Sequence, residues 1–128
     1  MQTIFRQIDT VGLETKQILK IDFNGKQIEI ALEYFSSVQQ WIFDITYQSF
    51  IRKGLTLSFA TNLLGAYNNI LPFGLLCLPS DPKDTVEPFL CNLDQEINDF
   101  TLDRVRLYIY SIGEEEALKT QLYNQYGI

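Results

Sequence analysis

Residues 17–34, QILKIDFNGKQIEIALEY, decide the fold, because they specify a β-hairpin together with its register and its two faces. The turn is Asn24-Gly25. Both central residues of a type I′ turn need positive φ, which Gly adopts at no steric cost and Asn tolerates. The twist of this turn also matches that of the flanking strands, so the sequence predicts a hairpin with a two-residue loop.

A two-residue loop places Phe23 opposite Lys26, and every other cross-strand pair follows from that pairing. Apolar pairs then fall on one face of the hairpin and polar pairs fall on the other. The predicted apolar pairs are Ile21/Ile28 and Leu19/Ile30, and the predicted polar pairs are Asp22/Gln27 and Lys20/Glu29. The last pair brings opposite charges together, which favours this register.

Apolar patterns outside the hairpin predict further strands. They cover 3–8, 41–47, 51–59, 75–78 and 104–110. Trp41 lies on the apolar face of its strand and is predicted to be a core residue. Residues 60–74 are predicted to form a packed loop and 79–103 an acidic loop, in which 94–99 is expected to be solvated. The predicted fold class is mainly β, a small antiparallel barrel or sandwich with a short C-terminal helix.

The C-terminal helix is predicted from Ser111-Ile112-Gly113-Glu114, which has the spacing of a capping box. Leu118, Leu122 and Tyr126 follow at four-residue spacing as an apolar stripe. An isolated helix of about 12 residues is marginal in water, so this one must dock on its own sheet or on a neighbouring chain. We expect a single β-rich domain over 1–128, with an N-terminal arm (1–14), a β core (15–110) and a helical tail (111–128).

Charge and hydropathy exclude several classes of protein. The net charge of −6 and the pI near 4.5 disfavour nucleic-acid binding, which needs clustered Lys and Arg. No run approaches the roughly 20 apolar residues of a membrane-spanning helix, and the start lacks the apolar length of a signal sequence. We therefore expect synthesis in the cytoplasm, with Cys77 and Cys91 as reduced packing residues.

The residues that usually carry chemistry are missing or poorly spaced. The chain has no histidine, which removes the commonest general base and the commonest metal ligand. Glycine-rich phosphate-binding motifs are absent. The segment 94–99 begins like a calcium loop, but its sixth position is Asp99 instead of Gly and its twelfth is Val105 instead of Glu. We predict no catalytic residue, no cofactor and no metal site.

Candidate contact residues are those suited to protein interfaces. Tyrosine is favoured there because its ring buries area while its hydroxyl stays hydrogen-bonded. The candidates are Tyr108, Tyr110, Leu118, Leu122, Tyr123, Tyr126, Asp81 and Asp84. The two tyrosines of the last strand fall opposite its inward set, Val105, Leu107 and Ile109. Ordinary surface placement is the alternative. For Asp44, an ion pair with Arg104 or Arg106 is predicted.

Several landmarks, taken in order, resemble a family of small phage baseplate plug proteins. The resemblance covers about residues 18–110 and rests on the order and spacing of short motifs. They are Phe23-Asn24-Gly25, Trp41-Ile42-Phe43-Asp44-Ile45, Lys53-Gly54-Leu55-Thr56-Leu57, Asn62-Leu63-Leu64-Gly65-Ala66-Tyr67, Leu75 and Leu102-Asp103-Arg104-Val105-Arg106-Leu107-Tyr108. The chain departs from the family at Ala31 and at Glu33-Tyr34-Phe35, and it has a longer acidic insertion after Leu78.

The resemblance implies a structural, non-catalytic subunit of a contractile phage tail, located in the virion at the baseplate after synthesis in the host cytoplasm. It implies other tail and baseplate proteins (hub, tube and wedge) as partners, with several copies in each virion. The alternative hypothesis is a ligand-binding β-barrel or small hydrolase that uses an acidic cleft around residues 81–103. Two carboxylates converging in a closed pocket would favour that alternative.

Overall fold

The computed structural model describes residues 5–8, 15–60, 62–67, 69–92, 95 and 97–126, with the backbone alone for 5–7, 125 and 126. The elements are β1 (Phe5–Ile8), β2 (Lys16–Phe23), β3 (Lys26–Phe35), β4 (Gln40–Tyr47), β5 (Phe50–Thr56), β6 (Phe73–Pro79), β7 (Cys91–Asn92), β8 (Ile97–Asn98), β9 (Val105–Ser111) and α1 (Glu115–Tyr126). Short 3₁₀ turns cover Gly65–Tyr67 and Ile112–Glu114.

The chain divides into two compact units, which we describe separately. The first unit comprises Met1–Asp9, Ser58–Glu87 and Arg104–Ile128, and the second comprises Thr10–Leu57 and Pro88–Asp103. Both units are therefore built from segments that are distant in sequence. The expected single domain with an arm, a core and a tail stays a prediction.

The second unit contains an antiparallel meander in the order β2-β3-β4-β5. Phe23 pairs with Lys26, and the predicted pairs of the hairpin all occur in the structure. Asn24 and Gly25 have φ values of 52° and 80°, as a type I′ turn requires. The register of this hairpin, predicted from local sequence alone, is confirmed.

One face of this meander is buried. Its fully buried side chains include Trp41 and Phe43 of β4, so the prediction that Trp41 is a core residue is confirmed. The register of β4 against β5 shifts between Phe43 and Ile45, where Asp44 Oδ1 accepts a hydrogen bond of 2.9 Å from the backbone N–H of Gly54. Gly54 has a φ of 75°, which favours glycine at this irregularity.

The first unit contains a three-stranded antiparallel sheet in the order β1-β9-β6. Every residue of β6 is buried, which explains why its sequence is continuously apolar instead of alternating. Gly74 of β6 pairs with Tyr110 of β9, and a Cβ on Gly74 would overlap the ring of Tyr110. The absence of a side chain at position 74 therefore gives Tyr110 its place over the sheet.

Helix α1 docks on this sheet, which decides between the two docking partners that the sequence leaves open. Leu118 and Leu122 are buried in one cluster with Leu76, Leu78 and Tyr110. Fully burying a leucine side chain contributes about 1.5–3 kcal/mol, so these two leucines hold the helix in place. The capping-box bond is not formed: Ser111 precedes the 3₁₀ turn, but its side chain makes no capping hydrogen bond.

The predicted fold class is confirmed, since the protein is mainly β with antiparallel sheets and one short C-terminal helix. Among the residues that the structure describes, the sheets are open and none closes into a barrel. Over the same residues, no helix combines the length and the hydropathy needed to cross a membrane.

Candidate functional site

Residues 80–87 form the Arg104-tied loop of the first unit. The guanidinium of Arg104 donates to Asp84 Oδ2 at 2.8 Å, to the carbonyl of Val86 at 2.8 Å and to the carbonyl of Glu87 at 3.0 Å. The backbone carbonyl of Arg104 accepts from the N–H of Ser80 at 2.9 Å. A single arginine, immediately before β9, therefore holds both ends of this loop.

Asp84 links the backbone of this loop to Arg104. Its Oδ1 accepts from the backbone N–H of Val86 at 3.0 Å, while its Oδ2 is paired with Arg104. The hydrogen bond from Val86 and the bond and charge of Arg104 lower the pKa of the Asp84 carboxyl from its ordinary value. Arg104 pairs with Asp84, and Asp44 accepts from Gly54, so neither bond is the expected ion pair of Asp44 with Arg104 or Arg106.

A pocket of about 290 Å³ lies against the Arg104-tied loop. Its lining is mostly apolar, with two carboxylates and a threonine. The lining residues are Phe59, Ala60, Leu78, Pro79, Pro82, Asp84, Thr85 and Glu87. Glu87 Oε2 accepts from the backbone N–H of Phe59 at 2.7 Å, so both carboxylates of the pocket accept hydrogen bonds from the protein itself. In these contacts they stabilise the walls of the pocket.

The second unit has a different polar centre, which we call the Asp99 cluster (Asp99, Trp41, Phe89 and Leu90). Asp99 is fully buried, and its Oδ2 accepts from Trp41 Nε1 at 3.2 Å and from the backbone N–H groups of Phe89 and Leu90 at 2.7 Å each. The backbone N–H of Asp99 donates to the carbonyl of Leu90 at 3.1 Å. This carboxylate therefore ties the segment 88–103 to strand β4.

Aromatic side chains surround this cluster. Trp41 makes edge contacts with Tyr34 and Phe100, with ring centroids 5.2 Å apart in both pairs. The hydroxyl of Tyr34 donates to the carbonyl of Phe89 at 2.6 Å. Burial, with a smaller effect of the Asp99 charge, raises the pKa of the Cys91 thiol. Burial also raises the pKa of the Tyr34 hydroxyl, with smaller effects of Cys91 and Asp99. Both groups therefore stay protonated near neutral pH.

The interpretation of 94–99 as a solvated acidic loop is wrong at Asp99, which is buried. In the wider acidic segment 79–103, Asp84 is paired with Arg104, and β7 pairs antiparallel with β8. In the weak calcium-loop match, Asp94 and Glu96 lie outside the described residues, while Asp99 faces N–H donors and not an open ligand position. Among the described residues, no group of His, Cys, Asp or Glu has the geometry to hold a metal ion.

The predicted contact residues differ in their exposure. Tyr110, Leu118 and Leu122 are buried inside the first unit, and Tyr108 is half-buried against the same cluster. Burial of the Tyr110 hydroxyl, with a smaller contribution from Glu115, raises its pKa. Tyr123 and Asp81 are exposed and Asp84 is half-buried, while the side chain of Tyr126 lies outside the described residues.

The Asp99 cluster was missed at the level of sequence. One partial signal existed, because a buried indole N–H needs an acceptor, and Trp41 was predicted to be buried. Nothing local identifies that acceptor among the acidic residues, since Asp99 lies 58 positions further along the chain. Neither Cys77 nor Cys91 forms a disulfide bond; Cys77 is buried and Cys91 is half-buried.

Comparison with known proteins identifies one family. A family model described as cyanophage baseplate Pam3 plug gp18 matches residues 5–112, which include the strands β1 to β9 described above. No curated protein matches the chain. A match over this much of the sequence covers both units, including the Asp99 cluster and the Arg104-tied loop. The chain belongs to the cyanophage baseplate Pam3 plug gp18 family.

Proposed function

We propose that this chain is a structural component of a phage tail baseplate that acts through protein–protein contacts and carries no catalysis. The observation that carries the proposal is the family match over 5–112. The description of the family names a baseplate and a plug, and the proposed location follows from those words. The contractile type of the tail and the hub, tube and wedge proteins as neighbours are finer parts of the same proposal.

The roles of the landmark residues support a structural function. Asn24-Gly25 forms the turn of the first hairpin, and Asp44 holds Gly54 at the irregularity of β4. Asn62 Oδ1 accepts from the N–H groups of Leu64 and Leu75, which ties the turn 62–67 to β6. Arg104 organises the loop 80–87. These landmarks build the scaffold, as expected of a protein selected for its shape.

The proposal is tested on the virions of the phage that encodes this chain. Mass spectrometry of purified particles should detect the protein at several copies per virion, and electron microscopy of the intact tail should place it in the baseplate. A phage with the gene deleted should yield tails that lack this density. Purified virions without the protein would overturn the proposal.

A further inference from the structure

We propose that the pocket of the first unit receives a short segment of another baseplate protein, in which one apolar side chain lies next to a lysine or arginine. This inference rests on the proposed function and adds the chemistry of the partner. The pocket has a volume of about 290 Å³ and a mostly apolar lining. Pockets for drug-sized ligands occupy roughly 300–1,000 Å³, so this one suits one or two side chains.

The walls of the pocket are preorganised. On one side, Arg104 and Asp84 hold the loop 80–87 through the bonds described above. On the other side, the backbone of Ala60 exchanges two hydrogen bonds of 3.0 Å with Cys77 of β6, which places Phe59 and Ala60 beside the sheet. The bond from the N–H of Phe59 to Glu87 joins the two walls. A partner would therefore bind without first ordering this surface, which lowers the cost of binding.

The charge around the pocket favours a basic partner. Glu87 lines the pocket and is exposed, and exposed Asp81 is adjacent to the lining residue Pro82. Lys83 supplies one positive charge on this loop, while the charge of Arg104 is engaged by Asp84 at 2.8 Å. The whole chain carries a net charge of −6. A cationic group beside the inserted side chain is attracted here, and an acidic one is repelled.

The first experiment tests the contact in assembled particles. Lys83 is replaced by the photo-crosslinker p-benzoylphenylalanine, because Lys83 is exposed and lies next to the lining residue Pro82. The same replacement of Gln27, which is exposed on the first hairpin, is the matched control. We expect a crosslink from position 83 to a segment of another baseplate protein that contains an apolar residue beside Lys or Arg. The additional change Thr85→Trp, which fills the pocket, should abolish that crosslink.

The outcomes separate this inference from the proposed function. If the protein is present in the particles but position 83 gives no crosslink, the inference is overturned and the structural role stands. A crosslink to an acidic segment, or to another copy of this chain, also overturns it. If the wild-type protein is absent from the particles, the proposed function fails and the inference fails with it.

The second experiment tests the charge rule with the isolated full chain. An acetylated peptide with a Lys-Leu-Lys centre is titrated while NMR shifts of the pocket residues are followed. We expect Thr85→Trp to weaken binding at least about tenfold, since it occupies the space of the leucine. Glu87→Gln should weaken binding about two- to fivefold, as exposed ion pairs do. Thr120→Trp, at an exposed site on α1, is the control. Equal binding of a Glu-Leu-Glu peptide would overturn the charge rule.

Discussion

Arg104 and Asp99 organise two successive stretches of the acidic segment, and they do so with opposite charge. Arg104 reaches into the loop 80–87 and donates to a carboxylate and two backbone carbonyls. Asp99 reaches into the segment 88–103 and accepts from an indole and two backbone amides. The pair with Asp84 is partly exposed, whereas Asp99 is fully buried. The comparison teaches that the backbone groups of a loop decide which ionic side chain it requires. Carbonyls that need a donor are held by an arginine, and N–H groups that need an acceptor are held by an aspartate, although both stretches belong to one acidic segment.

The largest effect is expected from Asp99→Ala, which leaves three donors without their acceptor. Hydrogen bonds to charged groups contribute about 1.5–3 kcal/mol each, and water can replace some of them, so we expect a loss of about 3–5 kcal/mol in the free energy of unfolding. Asp99→Asn keeps one acceptor oxygen and should lose less. The measurement is urea unfolding, with exposed Gln95→Ala as the control. A loss under about 1 kcal/mol for Asp99→Ala would contradict this role.

Arg104→Met is expected to have the second largest effect, a loss of about 1.5–3 kcal/mol. Arg104→Lys should recover only part of it, because an ammonium group cannot reach three acceptors in the geometry of the planar guanidinium. Hydrogen exchange should show faster exchange at the amides of Lys83 and Val86, which donate within the loop. Lys83→Met removes a positive charge from the same loop and is the control. Equal stability of Arg104→Lys and the wild-type protein would show that the geometry of the guanidinium is unimportant here.

Salt and acid should separate the two centres further. Raising NaCl from about 0.05 M to 1 M should reduce the effect of Arg104→Met, because the Debye length falls to about 3 Å, while the effect of Asp99→Ala should change little.

The pKa of Asp84 is lowered in the folded protein, so its contribution to the free energy of unfolding is present above the ordinary value of 3.8 and is lost as the pH falls through the folded pKa. Asp84→Asn should flatten the acid side of the stability curve. An unchanged acid side would contradict the assignment.

The smallest effect is expected at the thiols, which lie one in each unit. The pKa of Cys91 is raised, so its alkylation at pH 8 should be slower than that of a free thiol. Asp99→Ala should accelerate the reaction of Cys91, because the segment 88–103 loosens, and should leave buried Cys77 protected. Arg104→Met should not change the rate at Cys91. Equal acceleration at both thiols after Asp99→Ala would mean that the loss of Asp99 is not confined to the segment 88–103.

The sequence predicted the hairpin pair by pair because every determinant is local. The turn residues, the alternation and the Lys20/Glu29 pair all lie within a few positions of Asn24-Gly25. The same reasoning placed Val105, Leu107 and Ile109 on a buried face, and all three are buried. Where one strand and one turn determine the outcome, pattern alone is sufficient.

Prediction failed where a distant residue determines the outcome. Alternation assigned Tyr110 to the outer face, but that face is covered by Leu118 and Leu122 of α1, and Gly74 leaves room for the ring. Composition identified 79–103 as acidic without showing that Asp99 is buried against Trp41. Periodicity predicts the direction of a side chain but not what packs against it. The burial of Tyr110 and of Asp99 is therefore visible only in the tertiary structure.

The close approach of Gly74 and Tyr110 has a consequence for how this family can vary. Residue 74 contributes no side chain to the sheet, and residue 110 fills the space that such a side chain would occupy. A larger residue at 74 could therefore be accommodated only together with a smaller one at 110, since overpacking a core costs about 1–3 kcal/mol. We therefore expect residues 74 and 110 to vary together within the family, so that the summed volume of their side chains stays nearly constant.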